Sequence, residues 1–238
     1  MEHWDRLWPG GYTFAYADGL FRPSTDTFLL GAFPRLRRGM TVCDLGAGTG
    51  LLGLLLLVRE PELTVTGVEL QPAACGLFRR TAAENGLEDR LRCLEGDLRD
   101  PGLLPQGRFR LAVSNPPYFP PGAGAVAPDA ARRSARAETD CTLSQLCAAA
   151  SRALTWGGSF CLVHRPDRLA DVMEELRRVR LEPKRLRWVQ QRPEKAPWLF
   201  LVEGKAGAKP GLTVEPPLIV ESADGSYSDE MKMIYRIV

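Results

Sequence analysis

The sequence predicts an α/β fold, a mainly parallel sheet with helices on both faces. From residue 41 onward short apolar runs alternate with longer amphipathic ones, and a polar side chain recurs where each of the first short runs stops. Parallel strands need crossover connections, and the crossovers lay helices over both faces of the sheet.

Thr41–Leu45 reads as a buried strand and Thr49–Arg59 as the helix after it. Thr64–Glu69 is a strand rich in β-branched residues. The helix over Pro72–Asn85 opens on proline and closes at Asn85-Gly86. Leu91–Glu95 and Phe109–Ser114 are further strands. Leu143–Leu154 is helical and stops before Gly157-Gly158; Ser159–His164 is a strand and Arg168–Val179 a helix. Arg185–Gln190 and Trp198–Glu203 read as a final pair of strands. The chain divides into an N-terminal lid and substrate segment (1–40), one domain (41–204), and a C-terminal tail packed on that domain (205–238). Residues 118–140, rich in Pro, Gly, Ala and Arg, exceed a routine connection. They are expected to be disordered without substrate, because ordering them costs entropy for little apolar burial.

Hydrophobic residues at 45% and charged residues at 25% are ordinary for a globular domain. No apolar run approaches the ~18 residues of a membrane span. The opening residues show no secretory leader pattern, so a cytoplasmic location is expected. None of the six cysteines forms a CxxC pair, and only His3 and His164 could join them. Reduced core cysteines and no metal site are expected. Charge is uneven: residues 132–209 carry 16 basic and 9 acidic side chains. That block is either a phosphate-facing surface or the solvated side of helices.

The first chemical motif is Asp44-Leu45-Gly46-Ala47-Gly48-Thr49-Gly50, which ends a strand and opens a helix. Glycines there let the backbone turn sharply and come close to a ligand. Glu69 ends the next strand, where a carboxylate can accept both hydroxyls of a ribose. Asp97 and Asn115 follow the third and fourth strands. Ligands of open α/β sheets bind beyond the carboxyl ends of strands, so this register marks one crevice.

Asn115-Pro116-Pro117-Tyr118 is the second motif. An adenine or amide NH2 is a poor nucleophile because its lone pair is delocalised. The Asn115 side-chain oxygen and the Pro116 carbonyl can each accept one N–H and so aim that lone pair. The prolines stiffen the turn. Tyr118 can stack on a planar base splayed out of its stack, and Phe119 can extend that surface.

The glycine motif resembles the first motif of class I S-adenosylmethionine-dependent methyltransferases, and NPPY resembles the signature of their amino-group branch. The resemblance implies a Rossmann-like sheet of seven strands with an antiparallel last pair, and S-adenosylmethionine as cofactor. It implies that Gly46, Gly48 and Gly50 pass under the methionine part and that Asp44 meets its amino group. Glu69 would hold the ribose, Asp97 the adenine amino group, with the Leu98 N–H beside it. Asn115 borders this cofactor as well as the substrate. Leu20–Leu30 is similar to a segment that lids the cofactor in several such families, where the residue matching Thr27 reaches the methionine end. Its spelling PSTDTFLL is also close to release-factor glutamine methyltransferases.

NPPY serves adenine in DNA, adenine or guanine in RNA, and glutamine in release factors. The tail, Glu215–Val220, Asp224–Glu230 and Ile234-Tyr235, looks like that of the bacterial family that methylates adenine N6 in the anticodon loop of valine tRNA. Ala131–Glu138 resembles that family's loop after NPPY, although Ala137 stands where the family commonly has histidine. The resemblance therefore implies a tRNA adenine-N6 methyltransferase, with a release-factor glutamine enzyme and an rRNA or DNA amino-methyltransferase as alternatives; the oligomeric state is open, with a monomer favoured. A cofactor-binding RNA module without catalysis would have no need of an intact NPPY. Pro117 and Phe119 would line the substrate site. Arg132, Arg133 and Arg136 would either clamp phosphates or remain solvated.

Overall fold

The computed structural model describes residues 1–20, 23–116 and 141–236. Strands β1 (Glu2–Arg6) and β2 (Thr13–Ala17) form an antiparallel hairpin, and helix α1 (Thr25–Ala32) follows. The central part runs β3 (Thr41–Leu45), α2 (Leu51–Arg59), β4 (Thr64–Glu69), α3 (Pro72–Glu84), β5 (Leu91–Glu95) and β6 (Phe109–Ser114). Then come α4 (Leu143–Ala153), β7 (Leu154–His164), a 3-10 turn at Pro166–Arg168, α5 (Leu169–Arg178), β8 (Leu181–Gln190) and β9 (Leu199–Ala206). The tail supplies β10 (Thr213–Ile219) and α6 (Asp229–Tyr235).

The main sheet has eight strands in the order β10-β8-β9-β7-β6-β3-β4-β5. Only β9 runs against its neighbours, pairing antiparallel with both β7 and β8. Successive strand residues face opposite sides. Val42, Leu111, Val113, Leu199 and Leu201 pack with α1, α2 and Phe78 of α3, while Cys43, Leu45, Ala112, Phe200 and Val202 pack with α4 and α5. Helix α2 is apolar nearly all round because it is enclosed: Leu51 to Leu57 are all buried. Among the described residues no helix is long and apolar enough to cross a membrane.

Eight strands replace the expected seven. The added one, β10, lies parallel to β8 at the sheet edge, and its register jumps between Glu215 and Leu218. Pro216 and Pro217 occupy that irregularity, where a missing N–H breaks no ladder bond. Strand β7 also starts earlier than Ser159. Leu154 pairs with Phe109, the register shifts, and pairing resumes at Ser159 with Leu111, so Gly157-Gly158 lies in a bulge rather than in a connection. Helix α2 begins at Leu51, after Gly50 in the left-handed conformation.

The two chain ends meet on the α1 side. Arg185 of β8 donates to Glu203 of β9, to Glu215 of β10 (3.0 Å), and through Nη2 to the Phe33 carbonyl just after α1 (2.9 Å). Its guanidinium carbon stands 4.1 Å from the centre of the Phe33 ring. Removing one partner of a buried pair strands the other charge. Arg185→Ala is therefore expected to lower stability to urea by about 3 kcal/mol or more. A change of a few tenths in the unfolding free energy would show that the network is solvated.

Candidate active site

Asp44, Glu69, Asp97 and Asn115 stand at the carboxyl ends of four adjacent strands, β6-β3-β4-β5 in sheet order. The glycine loop is fastened to β4. Gly46 and Ala47 donate their N–H groups to the Val68 carbonyl (3.0 and 2.9 Å), and Gly48 donates to Glu69 Oε2 (2.9 Å). The Gln71 N–H donates to Glu69 Oε1 (2.9 Å), so the carboxylate is held from both sides. Gly50 takes φ +85°, and a Cβ there would lie 2.7 Å from the Phe78 ring, so both the turn and the space demand glycine.

Asp44 is 1% exposed, and neither carboxylate oxygen has a hydrogen-bond partner among the described residues. Burial, with the Glu69 charge adding to it, pushes its pKa up to about 8. A buried carboxylate without donors is incomplete by itself. Beside a loop whose Gly46 and Gly48 would project a Cβ into open space, it suits a ligand that brings a cationic amine.

Asp97 is gripped by its own Arg99. Arg99 Nε donates to both carboxylate oxygens (2.9 and 2.8 Å), and the Arg99 N–H to Oδ1 (2.8 Å). These bonds hold the carboxyl below the usual range. The sequence analysis did not anticipate Arg99, although the Asp-x-Arg spacing offered the signal. The Leu98 carbonyl accepts from Arg152 Nη2 (3.0 Å), tying that loop to α4.

At the end of β6, the Ser114 hydroxyl donates to the Leu45 carbonyl (2.7 Å) and locks this end against the start of the glycine loop. Asn115 Nδ2 donates to the hydroxyl of Thr27 on α1 (3.0 Å). Thr27 is buried, and its hydroxyl lies 3.4 Å from Ser24 Oγ. Pro116 is half-buried. Pro117, Tyr118, Phe119, Arg132, Arg133 and Arg136, and the expectation for loop 118–140, fall outside the described residues. The tail meets the same helix: the Tyr235 and Thr25 hydroxyls are 3.1 Å apart, and the Tyr235 and Phe28 rings 4.9 Å.

A mainly parallel sheet with one reversed strand, and an acidic crevice fed by a glycine turn, is the arrangement of a class I methyltransferase, whose methyl donor is S-adenosylmethionine. The family model of the methyltransferase small domain matches residues 22–180, and the chain belongs to that family. It is 36% identical over 219 residues to a protein of Porphyromonas gingivalis named tRNA1(Val) (adenine(37)-N6)-methyltransferase, covering 88% of this chain and 85% of that one. A protein of the same name from Yersinia enterocolitica is 30% identical over 236 residues, covering 93% and 89%. Among solved structures, a predicted O-methyltransferase from Agrobacterium tumefaciens superposes with a TM-score of 0.72 at 21% identity, over 89% of this chain and 96% of that one. This last likeness concerns the fold.

Proposed function

We propose that the chain methylates N6 of an adenine in tRNA. The observation that carries this is the position of Asn115-Pro116 at the end of β6, bonded to α1 and adjoining the glycine loop of β3. The relatives named as tRNA adenine-N6 enzymes span most of the chain and support the choice of substrate.

S-adenosylmethionine supplies the methyl group on a sulfonium centre. Asp44 holds its amino group, Gly46, Gly48 and Gly50 underlie its methionine part, and Glu69 accepts from its ribose hydroxyls. Asp97 and the Leu98 N–H meet its adenine ring; Asp97 does so with the oxygen capacity that Arg99 leaves. Asn115 Oδ1 and the Pro116 carbonyl each accept one N–H of the substrate amine and aim its lone pair in line with the methyl group. Tyr118 stacks on the flipped base, with Pro117 and Phe119 completing the pocket, and Arg132, Arg133 and Arg136 contact flanking phosphates. We take the working form to be a monomer in the cytoplasm, since every residue assigned a role here comes from one chain.

Transfer of label from S-adenosylmethionine to bulk unmodified bacterial tRNA, with a glutamine-containing release factor in a parallel tube, tests the substrate class. Label in the tRNA alone is expected. Label in the protein alone would establish the glutamine alternative.

A further inference from the structure

We propose that the rim of the sheet opposite the crevice is a second RNA contact, in which Trp156 stacks on an unpaired base and the basic side chains around it meet the flanking phosphates. The inference rests on the reading of the substrate as RNA. The occupant is a stretch of that same RNA remote from the methylated adenine.

The basic excess over residues 132–209 divides in two in the structure. Around α5 the arginines are neutralised: Arg168 pairs with Asp171, Arg177 with Glu182 and Arg178 with Glu175. Other cations gather elsewhere. Arg108 stands just before β6, Arg180 and Lys184 at the start of β8, and Lys205 and Lys209 at and just past the end of the reversed strand β9. All of these positions lie at the end of the sheet away from Asp44, Glu69 and Asn115. Hydrogen bonds draw them together. The Arg108 N–H donates to the Ala153 carbonyl just before β7 (3.0 Å), and the Gly207 N–H to the Arg180 carbonyl (3.3 Å). Lys184 Nζ donates to the Lys209 carbonyl (3.1 Å). Arg108, Arg180, Lys205 and Lys209 are exposed, and among the described residues no carboxylate pairs with any of them. Glu182, which stands opposite Lys205 in the β8–β9 ladder, is engaged by Arg177 instead.

Trp156 joins the two sides of this charge. It follows Leu154, the partner of Phe109, within the bulge of β7, and its ring lies over Gly207, between Lys205 and Lys209 in the chain. Gly207 takes φ +67°, and a Cβ there would run into the indole, so the turn beneath the ring demands glycine. The tryptophan is nevertheless 81% exposed. A large ring left in water among unpaired cations suits a partner that brings a planar face and negative charge together, as an unpaired nucleotide does. The six residues of β6 span about 20 Å, so this contact adds affinity without touching the reacting atoms.

Unmodified bacterial tRNA is the probe, with its Kd, KM and kcat measured over a range of salt. Trp156→Ala is expected to weaken tRNA binding by about tenfold, the scale of one stacked base, and Trp156→Phe to recover most of it. Arg108→Ala, Lys205→Ala and Lys209→Ala combined are expected to weaken it by about tenfold or more and to flatten the slope of log Kd against log salt by about 2 to 3. These changes touch only exposed side chains, and they serve should Trp156→Ala fold poorly. In every variant kcat with tRNA saturating, and the cofactor Kd, should stay within about twofold. Normal tRNA affinity and salt slope in both Trp156→Ala and the triple variant would overturn the proposal, and so would a loss confined to kcat. Normal tRNA binding with lost affinity for vesicles of anionic lipid would overturn it in favour of a membrane surface. If the unaltered protein methylates tRNA and the variants bind it normally, only this patch is wrong. If the unaltered protein neither binds nor methylates tRNA, the RNA reading fails with it.

Discussion

Asn115→Ala is expected to lower the rate of methyl transfer by about 100- to 1,000-fold, the effect of removing one preset polar contact to a reacting centre. Binding of S-adenosylmethionine should stay within a few-fold of the unaltered protein. The adenine N6 lone pair is spread into the ring, and the described residues at this point, Asn115 and Pro116, offer acceptors rather than a nucleophile. What it contributes is an acceptor held in place before the substrate arrives. Asn115 sits on a backbone locked to β3 through the Ser114 hydroxyl and on a side chain locked to α1 through Thr27. Asn115→Asp keeps an acceptor oxygen and should retain far more activity than the alanine variant, because the Thr27 hydroxyl can turn to donate. Single-turnover transfer with both substrates saturating, beside calorimetric cofactor titration, provides the check. Transfer at the normal rate in Asn115→Ala would remove this residue from the reaction.

Asp44→Asn is expected to weaken cofactor binding by about 100-fold or more while making the cofactor-free protein more stable at pH 8. Both effects follow from a buried carboxyl with no donor, whose pKa is pushed up to about 8 by burial and then by the Glu69 charge. The folded value lies above the 3.8 of an ordinary aspartate. Between the two the folded state holds a proton that the unfolded chain has released, so stability falls as pH rises. Its contribution is complete below about pH 4 and is lost as pH climbs to about 8, and asparagine abolishes that slope. An incoming ammonium reverses the preference and drives the carboxyl to ionise. Cofactor affinity should therefore rise with pH, by up to about tenfold per unit below pH 8, with protons released on binding. Titrations in buffers of different ionisation enthalpy would measure that release. A cofactor Kd that is flat from pH 6 to 8, or unchanged in Asp44→Asn, would contradict the assignment.

Much of this site could be read from the chain because strand ends are locally encoded. β3, β4 and β6 are mostly buried runs, β5 is a part-exposed edge strand, and a polar residue at or just past the end of each falls at the crevice. Elements that break local rules were not legible. β10 carries two prolines mid-strand and exists only through its edge position and bulge. The hairpin strand β1, EHWDR, is mostly exposed and gains its stability from β2, which docks on α3 through bonds such as the Ala15 N–H to the Thr81 hydroxyl (3.0 Å). In the site itself, the sequence could rank Thr27 and Asn115 as separate candidates. The bond between them is tertiary, and no spacing announces it. The Arg185 network joins three strands and the end of α1 in the same way.

The most direct test of the whole account is the identity of the methylated nucleoside. Unmodified bacterial tRNA is incubated with the protein and S-adenosylmethionine carrying a labelled methyl group, then digested to nucleosides and separated against standards. Label that migrates as N6-methyladenosine, and that disappears with Asn115→Ala, is the predicted result. Label in a carbon- or ribose-methylated nucleoside, or none in any nucleoside, would contradict the amino-group chemistry assigned to Asn115 and Pro116.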